Sequence, residues 1–388
     1  IVDVWFESGV SWAAVAAKRK GMGLPVDLYL EGADQHRGWF HTALLTSTAT
    51  RGCAPYKSVL THGFICNEKG EILSKSQKNF VSPAKTIDEQ GAEILRLWVG
   101  YEDYRSDIAY SPDIIKSLVD SYRKIRNTFR FMLGNIDGFD PAKDMVAAKD
   151  MPELDRWMLA RFGQYLARLD RAYDEYNFHH VFHATIELVT VELSAFYLDI
   201  IKDRLYCEAP QGTLRRSAQT ALYVMARDMA RALAPILSFT AEEVWRYLPG
   251  HKEESVFLAG FPEADKAFED QSLLDRWNAL RDVRREVTKV LEGMRADKKI
   301  GNALEAEVVV KASSAALELL RSFGDALLTD VFLVSSVRVE EGQGEIVVEA
   351  KPCESAKCPR CWRLGHGIGK DPTRPELCAR CAAVIAAK

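Results

Sequence analysis

Four cysteines in the last 31 residues, Cys358, Cys361, Cys378 and Cys381, stand as C-x2-C-x16-C-x2-C and constrain this chain more than any other feature. Two thiolates three residues apart grip one edge of a tetrahedral metal ion. Two such knuckles supply the four-sulfur shell that zinc accepts, with no position left for water. The spacing predicts a structural zinc site, against a redox pair or an iron–sulfur cluster as the competing readings. A segment this short has little core, so metal binding is expected to be part of its folding free energy. Cys353 and His366 lie close by but off the knuckle spacing. Eight cysteines in 388 residues are too sparse for a disulfide scaffold, which points to metal in a reducing compartment.

The length leaves room for two or more domains. A hydrophobic share of 47% and a charged share of 27% describe an ordinary globular chain and argue against disorder. With 51 basic against 55 acidic residues there is no global field for a polyanion, so a nucleic-acid partner would have to meet local patches. No apolar run approaches the roughly 18 residues of a membrane span, and the start lacks a secretory pattern, which makes the cytosol the expected location. The first residue, Ile1, lies inside an apolar stretch, so further sequence upstream is expected.

Up to about residue 110, short apolar strands alternate with helical stretches. Val26 to Leu30 reads as a strand, Asp34 to Ala49 as a helix and Ser58 to His62 as the next strand. That order predicts a parallel α/β sheet with polar groups gathered in a crevice at the strand ends. Gly63 to Ser82 reads as a loop or hairpin. From Ser111 the periodicity becomes helical: Ile114, Ile115, Leu118, Val119, Tyr122, Ile125, Phe129 and Met132 form one apolar stripe, with Pro112 in the first turn. Similar stripes continue to Pro249-Gly250 and predict a helical bundle. Thr240 and Glu243 have the spacing of a capping box. Beyond a crossover at Val256 to Pro262, an amphipathic helix over 270–296 carries Arg281, Arg284, Arg285 and Lys289 around its apolar face. Strand-like pieces at Glu305–Lys311, Asp330–Val339 and Glu345–Ala350, with a helix at Ala315–Phe323, then suggest a small α/β unit.

Two polar stretches stand out in the first region. Glu31-Gly32-Ala33-Asp34-Gln35-His36-Arg37-Gly38-Trp39-Phe40 falls at a strand-to-helix turn. Glycine lets a ligand approach the backbone there, and a helix start favours an anion. Glu31 and Asp34 can hold an ammonium or ribose hydroxyls, and Trp39 can wall off an apolar side chain. The alternative is a capped helix with Asp34 as N-cap and Trp39 and Phe40 in the core. In Leu73-Ser74-Lys75-Ser76-Gln77-Lys78-Asn79 a lysine between two hydroxyls can meet phosphate oxygens, although the same composition also makes an ordinary surface loop.

Together these stretches resemble the class I aminoacyl-tRNA synthetases. The wording EGADQHRGWF, and Asp3-Val4-Trp5-Phe6-Glu7-Ser8-Gly9-Val10-Ser11-Trp12 before it, is similar to the isoleucine-specific branch. His62-Gly63-Phe64 and Leu73-Ser74-Lys75-Ser76 resemble the strand and lysine-serine loop of the class, with Ile72 and Leu73 where the family has lysine and methionine. The resemblance implies that Glu31, Asp34 and Gln35 contact the aminoacyl-adenylate, with Trp39 beside the isoleucine side chain and Trp5 near the same pocket. It places His62 and Gly63 near the adenosine, and Lys75, flanked by Ser74 and Ser76, at the departing pyrophosphate. It also implies ATP with Mg2+, L-isoleucine and tRNA(Ile) as partners, and a monomer. The family's HIGH phosphate-binding stretch and its editing domain are not among these residues, so the segment alone is expected to be inactive.

The fold so implied is the second half of a Rossmann-like α/β nucleotide fold over 1–110, an α-helical anticodon-binding bundle over 111–262, a small α/β junction over 263–350 and a zinc knot over 351–388. In the bundle, Arg123, Arg126, Arg130, Tyr173, Tyr176 and His179 are candidates to face RNA. Arg360, Arg363, Arg374 and Arg380 around the knot suit phosphate contact or solubility. Two other readings remain: a catalytically silent tRNA-binding module, and a valyl- or leucyl-tRNA synthetase, which the DQHRGWF wording disfavours.

Overall fold

A computed structural model describes residues 1–73, 82–250, 252–365 and 367–387. The chain divides into two compact units, residues 1–122 with 176–182, and residues 123–175 with 183–388.

In the first unit, helix α1 (Val4–Gly9) opens on Asp3, whose carboxylate accepts from the Trp5 amide at 2.8 Å. Strand β1 (Val26–Gly32) leads through a single 3-10 turn, Ala33–Arg37, into helix α2 (Trp39–Arg51). Helix α2 ends on Gly52, whose left-handed φ of 73° suits glycine. Strand β2 (Tyr56–His62) then runs parallel to β1, in register from Val26 opposite Tyr56 to Gly32 opposite His62. Trp12, Tyr29, Phe40 and Ala43 are buried between the strands and α2. The expected helix start at Asp34 is corrected: Asp34 lies in the 3-10 turn, and no side chain of the N-cap residue Gly38 is available to close α2. The Trp39 amide instead donates to Gln35 Oε1 at 2.9 Å.

Strand β3 (Ile65–Cys66) begins a hairpin. Gly70 N donates to Asn67 O, and Leu73 N donates to Ile65 O at 2.8 Å on the return. Helices α3 (Pro83–Gln90) and α4 (Ala92–Tyr101) follow, then strand β4 (Ile108–Ala109), parallel to β3.

From Pro112 the chain is helical: α5 (Pro112–Asn135), α6 (Glu153–Asp174), α7 (Phe178–Glu187), a π-helical stretch at Leu188–Tyr197, α8 (Leu198–Cys207), α9 (Thr213–Leu233) and α10 (Ser238–Tyr247). The stripes read from the sequence are the buried ones, with Ile125, Phe129, Met132, Leu154, Trp157, Met158, Leu193 and Met229 almost without exposure. Thr240 is no cap, because α10 starts two residues earlier and buries it; Glu243 pairs with Arg126 instead.

Helix α11 (Gln271–Ala296) starts on Asp270, whose carboxylate accepts from Leu273 N at 2.9 Å. It buries Leu280, Val283 and Val287. Arg281 and Arg284 do not simply ring that face. Arg281 lies over the rings of Trp157 and Phe196 and pairs with Glu192, and Arg284 lies over Phe196. Apolar stems let such arginines cover aromatic surface while the head finds a partner.

Strand β5 (Ala306–Ala312) is central in a three-stranded sheet, parallel to β6 (Ser336–Glu341) and antiparallel to β7 (Val347–Pro352). Between β5 and β6 runs α12 (Ser314–Phe332), which bends at Gly324, where φ is 73°. The expected strand over Asp330–Val339 is therefore corrected at its start, since Asp330 to Phe332 belong to the helix. A run of Val, Phe, Leu and Val has no period that separates a buried helix end from a strand. Helix α13 (Ala379–Ala386) closes the chain. No helix among the described residues is long and apolar enough to cross a membrane.

Candidate active site and metal centre

The parallel register brings Glu31 and Gly32 beside Thr61 and His62 at the C-terminal ends of β1 and β2. His62 Nε2 stands 3.9 Å from Glu31 Oε1, while His62 Nδ1 lies 2.8 Å from the Gly63 carbonyl oxygen. A protonated Nδ1 would donate to that carbonyl. Asp34 Oδ2 accepts from Gln35 Nε2 at 3.2 Å, and a Cβ on Gly32 would stand 2.7 Å from Asp34 Oδ1. Glycine at 32 thus lets the acidic turn fold back over the strand end. At Gly63 a Cβ would stand 2.3 Å from the Ser106 carbonyl oxygen, so the crossing 104–108 segment already requires glycine there.

The turn after β1 leads into an aromatic cluster. Trp39 stacks on Tyr29 at 4.1 Å with planes 12° apart, and Tyr29 in turn meets Tyr56 at 4.8 Å. Burial pushes the Tyr29 phenol above its ordinary pKa. Trp5 lies against Gly38, and Trp39 Nε1 donates to Ser11 Oγ at 3.2 Å. Ser11, Tyr29 and Gly38 were not among the residues singled out from sequence. Ser11 and Gly38 sit inside the quoted motifs, and the juxtaposition of segment 4–16 with α2 is what identifies them.

Lys75, Ser74 and Ser76 fall outside the described residues. The hairpin that leads to them is described, and it returns Leu73 to within hydrogen-bond distance of Ile65, three residues beyond His62.

At the other end of the chain, the Sγ atoms of Cys358, Cys361, Cys378 and Cys381 all lie within 4.8 Å of one another, with Cys361 and Cys378 at 3.8 Å. A tetrahedron with Zn–S bonds of about 2.3 Å has edges of about 3.8 Å. The cluster therefore fits zinc, which would be held by these four sulfurs and would serve structure, since no position stays open. Burial pushes the Cys358 thiol up, but the backbone N–H groups of Cys361, Cys378 and Arg360 outweigh it and bring it down to about 6. Burial raises the other three thiols. A metal ion supplies the positive charge that lets all four ionise together.

The arginines around the knot are tied down. Arg360 donates to the Cys207 carbonyl at 2.6 Å, Arg380 makes a two-pronged pair with Asp203, and Arg363 pairs with Asp330. These three anchor the knot to the end of α8 and to α12. Two of the bundle residues suggested for RNA are likewise committed. Tyr173 donates its hydroxyl to the Ala232 carbonyl at 2.9 Å, and Arg126 is bidentate to Glu243 at 2.8 and 3.1 Å.

Residues 1–111 match the model of class I tRNA synthetases (I, L, M and V), residues 155–310 the anticodon-binding domain of tRNA ligase, and residues 356–384 a zinc finger found in FPG and IleRS. Among solved structures the chain is similar to LeuRS of Agrobacterium radiobacter in a ternary complex with tRNA and LeuAMS, with a TM-score of 0.55, 12% identity and coverage of 84% of this chain and 38% of that one. It is also similar to Mycobacterium tuberculosis methionyl-tRNA synthetase in complex with methionyl-adenylate, with a TM-score of 0.53, 18% identity and coverage of 69% and 56%. At these identities the likeness is one of fold. The chain belongs to the class I aminoacyl-tRNA synthetases.

Within that class its relatives are isoleucine–tRNA ligases. That of Syntrophotalea carbinolica is 47% identical over 395 residues, covering 99% of this chain and 42% of the relative, and that of Geobacter sulfurreducens is 47% identical over 397 residues, covering 99% and 43%. The chain thus spans less than half the length of the curated relatives it matches.

Proposed function

We propose that this chain supplies the adenylate-facing turn, the tRNA-binding bundle and the zinc knot of an isoleucine–tRNA ligase. The observation that carries the reading is the meeting of Glu31 and Gly32 with Thr61 and His62 at neighbouring ends of two parallel strands, with the turn carrying Gln35 and then Trp39 following directly from β1. In this reading residues 1–110 belong to the catalytic domain, 111–262 to the anticodon-binding bundle, 263–350 to a junction and 351–388 to the metal knot. The protein works as a cytosolic monomer.

An isoleucine carboxylate oxygen attacks the α-phosphorus of ATP, the bond to the β-phosphate oxygen breaks, and pyrophosphate leaves. The terminal ribose hydroxyl of tRNA(Ile) then attacks the acyl carbon and AMP departs. Neither step needs a side-chain base as much as alignment and charge stabilisation. Glu31, Asp34 and Gln35 hold the adenylate, Trp39 and Trp5 border the aliphatic side chain, and His62 and Gly63 border the adenosine. Lys75, with Ser74 and Ser76, meets the leaving pyrophosphate, and Mg2+ brought with ATP would share its charge.

The test is isoleucine-dependent ATP–pyrophosphate exchange, with valine as comparator, on this segment and on a chain completed to the relatives' length. Exchange is expected from the completed chain alone. Lys75→Ala should lower it by about a hundredfold or more, as expected for loss of a charge that acts in the transition state. A well-folded completed chain without exchange would overturn the reading in favour of a silent tRNA-binding module.

A further inference from the structure

We propose that Ser11 is a positioning residue for amino-acid selection: its one hydroxyl fixes where the Trp39 indole sits within its ring plane, and thereby the shape of the aliphatic side of the site. The inference rests on the functional reading above and names a residue that reading does not use.

Trp39 is located by three independent restraints. Its backbone N–H donates to Gln35 Oε1 at 2.9 Å, its ring stacks on Tyr29 at 4.1 Å, and its Nε1–H donates to Ser11 Oγ at 3.2 Å. The first sets where the residue starts, and the second sets the plane on one side. Stacking leaves an indole free to slide within its own plane. The directional bond to Ser11 opposes that sliding.

Ser11 can serve because its hydroxyl is not used elsewhere in the helix. It stands as N-cap of the π-helical turn Trp12–Ala16, yet its side chain makes no capping bond.

The segment that carries Ser11 is itself held firmly to α2. Trp12 Nε1 donates to Thr46 Oγ1 at 3.1 Å, and Thr46 Oγ1 donates to the Gly9 carbonyl at 2.9 Å. At Gly9 a Cβ would stand 2.7 Å from Thr42 Cβ, so this approach is as close as a glycine permits. Trp39 is only half-buried, so part of it stays accessible to a ligand. A wall held in place yet accessible is what selection between aliphatic side chains one methylene apart requires, because the available difference is small and is lost if the wall moves.

The test uses the completed enzyme. Ser11→Ala should raise KM for isoleucine about three- to tenfold while kcat stays within about twofold, the scale of one net hydrogen bond spent on ground-state placement. The preference for isoleucine over valine should fall severalfold. Ser11→Thr keeps the hydroxyl and should restore both. In 15N-labelled protein, the Trp39 indole N–H cross-peak, assigned through Trp39→Phe, should shift in the alanine variant and keep its place in the threonine variant. An active Ser11→Ala enzyme with unchanged KM and unchanged preference overturns the proposal alone, and so does equal impairment of the alanine and threonine variants. Absence of isoleucine-dependent exchange in the unsubstituted enzyme instead overturns the functional reading beneath it.

Discussion

The Trp5 indole lies against Gly38 so closely that a Cβ on that glycine would stand 2.6 Å from Trp5 Cζ3 and 2.8 Å from Gln35 Oε1. Helix α1 and the turn before α2 therefore meet at the one residue that has no side chain to separate them, and two proposed ligand contacts depend on it.

Gly38→Ala should accordingly displace both the indole and the Gln35 amide. Trp5 is 45% exposed and can swing outward, so the stability cost should stay near 1–2 kcal/mol. Activity should fall further, by about tenfold or more, because the Gln35 bond to the Trp39 amide shares the same space. Thermal melts and pyrophosphate exchange measured on one preparation separate the two effects. Exchange at the unsubstituted level would show that this contact does not shape the site.

Much of the site was legible because its chemistry is dense in sequence: EGADQHRGWF occupies consecutive positions, and the two CxxC pairs need only spacing. What resisted reading was the geometry of approach. Asp34 has the composition of a helix cap, yet α2 begins five residues later, because Gln35 closes the helix from within a 3-10 turn. Ser11 lies 28 positions from Trp39, and no local periodicity links them. In the bundle the apolar stripes were plain, whereas the commitments of Arg126, Arg281 and Arg380 depend on partners about 90 to 180 positions away in the chain. Charge alone made these arginines resemble solvent-facing or RNA-facing groups.

Glu192 joins three helical segments. Its Oε1 accepts from Arg161 at 3.0 Å and Arg281 at 3.2 Å, and its Oε2 stands 2.9 Å from Arg281. Only 7% of its side chain is exposed, against 28% for Arg161 and 21% for Arg281. Glu192→Gln keeps the shape but leaves two half-buried guanidinium groups without their counter-charge, and should cost about 2–4 kcal/mol. Adding Arg161→Met should recover part of that loss in denaturant unfolding. A single substitution without effect would mean that solvent already screens the cluster.

Arg231 holds the strand-free segment after α10 by its carbonyls, donating to Ala259 at 2.8 Å, Gly260 at 3.1 Å and Phe261 at 3.2 Å, while Asp228 accepts from it at 3.0 Å. Arg231→Ala removes all of these donors at once. Limited proteolysis should then cut between residues 255 and 268 at least severalfold faster, with a global loss of about 1–3 kcal/mol. Unaltered cleavage in that segment would assign its order to packing instead.

The zinc knot and its docking can be broken separately. The four thiols form the knot from within, while Arg380 to Asp203 and Arg360 to the Cys207 carbonyl attach it to α8 from outside. Cys378→Ser, at a buried ligand position, should abolish the single zinc expected per chain by metal analysis and expose residues 353–388 to protease. The bundle should keep its helical signal, because its core of Trp157, Met158, Leu193 and Met229 does not draw on the knot. Asp203→Ala should do the reverse, retaining zinc while loosening the attachment, since it leaves the Arg380 guanidinium without its two-pronged partner. A strong chelator should reproduce the first phenotype and leave the second unaffected. Zinc lost in Asp203→Ala would show that metal binding and docking are one event, with the sulfur shell completed only by contact with α8, whereas zinc retained in Cys378→Ser would show that the Cys378 thiolate is not needed to hold it.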